Sequence, residues 1–157
     1  MKTNLPFALL LGIAWLLAAE STGPAQSTPT AKTPASATRQ LDGVWVVVST
    51  EANGTARPAD AAAGLSLKLA GNTYSVNTKA QQIDRGTFTA DAAKSPNQMD
   101  IHAEIGPYTN RTLMAIYELK AETLQICYAI RSAERPTTFT AATNSGRLLI
   151  KYKRQQP

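Results

Sequence analysis

The feature that most constrains this chain is a hydrophobic period of two. Leu65, Leu67 and Leu69 alternate with Ser66, Lys68 and Ala70. Tyr74, Val76 and Thr78 alternate with Ser75 and Asn77. Met99, Ile101, Ala103 and Ile105 alternate with Asp100, His102 and Glu104, and Leu124, Ile126, Tyr128 and Ile130 with Gln125, Cys127 and Ala129. Successive side chains of a pleated strand point to opposite faces, so each run presents one face to a core and the other to water.

The breaks between these runs suit antiparallel connections. Gly71-Asn72 is a two-residue turn signal, Lys120-Ala121-Glu122 separates two further runs, and 91–97 and 106–110 are longer stretches of turn formers. Eight strands are expected, near 43–51, 64–70, 73–79, 85–90, 97–105, 112–120, 123–130 and 147–154. Residues 57–63 (RPADAAA) suit a short helical turn, with Pro58 early and Gly64 as the stop. Residues 131–146 form a long connection expected to wrap over one end. Eight sequential strands with mostly short links predict an all-β fold, an eight-stranded up-and-down antiparallel barrel, because closure removes exposed strand edges. A barrel of this size is either filled by side chains or holds one small ligand.

The patterning begins only at Leu41. Lys2 precedes an almost wholly apolar stretch, residues 5–19, and small residues follow. This is the pattern of a secretory signal peptide, expected over residues 1–21. The apolar run is too short for a permanent span, and no lipid-attachment cysteine sits near the cut, so no transmembrane anchor is expected after cleavage. Residues 22–40 are Ser, Thr, Pro and Ala with little to bury and are expected to be a disordered linker, leaving 41–157 as the barrel domain. The protein is therefore expected to be exported, to a periplasmic or extracellular space.

Cys127 is the only cysteine, so no internal disulfide can form. The net charge of +5 falls to +3 without Lys2, Lys32, Arg39 and Glu20, and the basic residues are scattered. That is no nucleic-acid footprint.

Gly43-Val44-Trp45 has the G-x-W form found at the start of lipocalin-like barrels. It is followed by Ile116-Tyr117-Glu118-Leu119, Leu124-Gln125-Ile126-Cys127-Tyr128, Glu134-Arg135-Pro136-Thr137 with Phe139, and Leu148-Leu149-Ile150-Lys151-Tyr152-Lys153-Arg154. In this order, across about residues 40–155, the set resembles an uncharacterised lipocalin-like domain family best known from planctomycete bacteria. The resemblance implies a lipocalin-like barrel, often exported, with no established activity. It also implies that Trp45 packs across the closed end of the barrel under an arginine. Arg135, Arg147 and Arg154 are the candidates. Arg154 is favoured because it ends the last strand, which must lie beside the first, and Gly43 would leave room for the chain to cross there.

Few residues suggest chemistry. Asp100, His102 and Glu104 share a strand face, but it lies opposite Met99, Ile101 and Ile105 and is expected to be a hydrated outer wall. His102 is the only histidine, and no G-x-S-x-G turn is present. No catalytic residue, metal site or cofactor is therefore assigned, and the chain is not expected to be an enzyme. Cys127 is expected to be an inert packed thiol. The charged turn Glu134–Thr137 suits a loop-to-barrel ion pair, with a lid or recognition edge as the alternative. Phe88, Met99, Ile101, Tyr117, Ile126 and Tyr128 are the expected ligand-binding residues, lining an apolar interior with a few hydroxyls. Two functional classes stay open: a module holding a small apolar or amphipathic ligand, and an envelope or secreted interaction domain that binds a protein partner with its barrel filled.

Overall fold

The computed structural model describes residues 34–58 and 64–156. The expected signal peptide, and the linker up to residue 33, lie outside the described residues. Among the described residues, nine strands follow one helix: α1 (Pro34–Leu41), β1 (Gly43–Ala52), β2 (Thr55–Pro58), β3 (Ser66–Ala70), β4 (Thr73–Asn77), β5 (Gln82–Asp91), β6 (Asn97–Ile105), β7 (Thr112–Lys120), β8 (Thr123–Ala129) and β9 (Arg147–Arg154). Sequential antiparallel pairing runs from β3 to β9, and β1 pairs with both β3 and β9. The result is a closed eight-stranded antiparallel barrel of lipocalin-like architecture, with β2 as an extra strand. β2 pairs with the second half of β1, where Ser49 faces Pro58 and Ala52 faces Thr55.

Three local expectations are corrected. The linker does not stay unstructured to residue 40, because Pro34–Leu41 is helical. Ala37 and Leu41, one turn apart, are buried in the main core, and the helix packs against β3 and β5. Two small apolar contacts in a polar segment carry little signal alone, yet the barrel end gives them a surface to cover. Residues 57 and 58 are not a helical turn. They continue an extended hairpin with β1, and 59–63 lie outside the described residues. The 131–146 connection does not wrap over an end but lies along the outer wall. There Phe139 and Ala141 cover Ile116, Cys127 and Leu149, which face outward by strand parity.

This strap is held at both sides. The Arg135 guanidinium donates to the carbonyls of Met99 (2.9 Å) and Ala115 (2.8 Å) and pairs with Asp100 at 2.5 Å. At the far side, Ala141 N donates to Glu51 Oε1, and Gly54 N to the Ala141 carbonyl. The Glu134–Thr137 turn is thus a loop-to-barrel attachment, with Pro136 fully buried behind it.

The closed end is built around Trp45, which is fully buried. Its indole N–H donates to the Leu41 carbonyl at 2.8 Å, tying the strand to the end of α1. The Arg154 guanidinium lies over the indole, 4.1 Å from the ring centroid. It also donates to the carbonyls of Asp42 and Gln40 and pairs with Glu122 at 3.3 Å. Gly43 is required here. Its φ is +136°, and a Cβ would sit 2.6 Å from Arg154 Nη1.

A candidate ligand cavity in the barrel

Alternation sends Leu67, Leu69, Phe88, Met99, Ile101, Leu113, Leu124 and Ile126 inward, and all are buried. They do not fill the barrel. A cavity of about 140 Å³ remains between them, toward the end opposite Trp45. Of the residues expected to bind a ligand, Phe88, Met99, Ile101, Ile126 and Tyr128 line it. Tyr117 does not. It is buried at 3 % exposure, nearer the closed end, and serves the packed core. Trp45 is also absent from the lining, as its ring belongs to the closed end.

Polar groups enter this apolar space from Tyr74, Asp84, Tyr128 and Tyr152, beside Ser66 and Tyr108. Tyr74 donates its hydroxyl to Asp84 Oδ1 at 2.9 Å. Tyr128 and Tyr152 share a hydroxyl–hydroxyl bond of 3.1 Å. Burial is the main cause that pushes the Tyr74, Tyr128 and Tyr152 phenols up. For Tyr74 the Asp84 bond and charge add to this, because a phenolate beside a carboxylate is doubly unfavourable. Desolvation also raises Asp84, against the opposing hydrogen bonds from Tyr74 and the Arg85 backbone N–H. The three phenols therefore stay neutral hydrogen-bonding groups at neutral pH.

The local chain explains their placement. Asp84 shares strand parity with Gly86 and Phe88, so β5 carries it inward. A side chain at Gly86 would collide with the His102 carbonyl and lie 2.9 Å from the Tyr74 ring, so glycine leaves the space in which that ring reaches Asp84. Gly106, at φ +118°, leaves room for the carboxylate itself, since a Cβ there would be 2.6 Å from Asp84 Cγ. The loop that follows Gly106 brings Tyr108 to the cavity, with Arg111 5.7 Å from its ring centroid.

The sequence reading missed Tyr74, Asp84 and Tyr152 as site residues. Parity with Val76 and Ile150 was an available signal for the two tyrosines. For Asp84 the signal was parity with Phe88, hidden because the strand was expected to begin at residue 85.

The other candidates lie elsewhere. His102 is exposed on the outer wall, with Nδ1 3.3 Å from Thr112 Oγ1. Asp100 beside it is engaged by Arg135. Cys127 is fully buried under the strap and donates to the Thr140 carbonyl at 3.6 Å, and burial pushes its thiol up. Among the described residues, no three His, Cys, Asp or Glu side chains are grouped to hold a metal ion. No described helix is long and apolar enough to cross a membrane. Comparison with family models, curated proteins and solved structures finds no match to this chain.

Proposed function

We propose that this protein is an exported lipocalin-like binding module, of the lipocalin-like domain family that it resembles, and that it holds one small apolar or amphipathic molecule inside the barrel. The observation that carries the reading is the cavity of about 140 Å³. An apolar void of about 150 Å³ in a protein core is enough to take up benzene, so this one suits a single ring or a short chain. Its wall is mostly aliphatic and aromatic, with a few convergent polar groups, which is how small-molecule sites gain both affinity and orientation. The hydroxyls and the carboxylate suit binding, because the phenols stay protonated and offer neutral donors and acceptors to a bound molecule. The basic start and apolar run of residues 1–19 support export.

Two measurements test this. Native mass spectrometry of the purified full chain should reveal a bound small molecule. Titration with toluene, followed through the tyrosine ring resonances, should give saturable shifts at Tyr74, Tyr128 and Tyr152. These shifts should vanish in Ile150→Phe, which fills the cavity. No bound mass together with no saturable shift would sink the carrier reading.

A further inference from the structure

Asp84 is the only charged side chain among the described residues that line the cavity. None of the ion pairs between described residues involves it. A partly buried carboxylate against an apolar wall, without a cation, loses hydration that is only partly repaid. It keeps only partial compensation, from the Tyr74 hydroxyl at 2.9 Å and the Arg85 backbone N–H. An ionised carboxylate offers about four acceptor positions, so room remains for a further donor from the cavity side.

The rest of the wall is equally one-sided. Tyr74, Phe88, Tyr108, Tyr128 and Tyr152 all line the space, and among the described residues no Lys or Arg does. Aromatic faces attract cations, and aromatic cages are a recurrent way to hold ammonium groups. Tyr128 and Tyr152 donate at most one proton between them within their shared bond, so their oxygens keep acceptor capacity. An anionic ligand would meet Asp84 with no counter-charge. A neutral alcohol could hydrogen-bond there but would leave the charge unbalanced.

We propose that the cavity selects a small molecule with an apolar body and a protonated amine, with Asp84 as the counter-charge and the surrounding rings as the cage. This rests on the binding reading above. A single aromatic ring or a short alkyl chain is the body that the volume admits.

The test is calorimetric titration of the full chain, near neutral pH, with benzylamine, benzyl alcohol and toluene. Benzylamine is expected to bind at least about tenfold tighter than either neutral probe. In Asp84→Asn that preference should disappear, with benzylamine falling to the affinity of benzyl alcohol. Equal binding of the three probes to the unaltered protein, or an amine preference that survives Asp84→Asn, overturns the amine inference and leaves the carrier reading standing. Failure of all three to bind overturns both. The ranking on the unaltered protein decides the matter even if the variant folds poorly.

Discussion

Arg154 lies with its guanidinium 4.1 Å from the centroid of the Trp45 ring, and both belong to the seam where the last strand meets the first. The two residues are directly paired across β1 and β9. One cation therefore stacks on the buried indole, binds the carbonyls of Asp42 and Gln40, and joins Glu122. The contact holds closure of the barrel and the exit of α1 in one place.

Arg154→Met should cost about 2–3 kcal/mol, from the lost cation–π contact and charge-assisted bonds to carbonyls. Arg154→Lys should recover less than half, because an ammonium cannot stack and fork at once. Urea unfolding of the three proteins measures this. A full recovery by lysine would mean that charge alone matters here.

Gly43→Ala should destabilise by about 1–3 kcal/mol through its left-handed backbone and the clash with Arg154 Nη1. Coupling to Arg154 makes this checkable: in the Arg154→Met background the penalty should shrink, since the clashing atom is gone. Additive penalties would assign the cost to the backbone alone.

Arg135→Met should loosen the strap by removing its bonds to Met99, Ala115 and Asp100. Stability should fall by about 1–3 kcal/mol. Cys127, whose thiol is pushed up by burial, should then react with a chromogenic disulfide faster than in the unaltered protein. An unchanged thiol rate in a destabilised variant would show that the strap does not open locally.

Alkali should destabilise this protein through Tyr128 and Tyr152. Burial raises both phenols above the unfolded value near 10. Above that value the unfolded chain releases protons that the folded one retains, so the contribution of these two phenols is constant below about pH 10 and falls above it. The slope is up to about 1.4 kcal/mol per pH unit for each phenol. Tyr152→Phe should remove one phenol's share of the slope in denaturant titrations across the alkaline range. A pH-independent midpoint up to about pH 11 would falsify this account.

Much of the barrel was legible because alternation is local. The pleat sends every second residue inward whatever the partner strand is, so Phe88, Met99, Ile101, Ile126 and Tyr128 could be placed on the inner face from parity alone. The Gly43-Val44-Trp45 resemblance to lipocalin-like barrels put Trp45 at the start of the first strand, and adjacency of first and last strands brought Arg154 to it. The order of the eight barrel strands and their inner face were thus determined by the sequence itself, whereas β2 was not.

What the tertiary structure decided depends on residues far apart in the chain. Ala37 and Leu41 make a helix worth forming only when the barrel end stands beneath them. Ile116, Cys127 and Leu149 carry outward parity yet are buried, because the strap crosses that wall, and Arg135 finds its three acceptors on β6 and β7. Whether the interior is hollow depends on summed volumes of side chains from all eight barrel strands, which no single strand encodes. Asp84 reads as an ordinary surface acid until the glycines at 86 and 106 let Tyr74 and the carboxylate meet at the cavity wall.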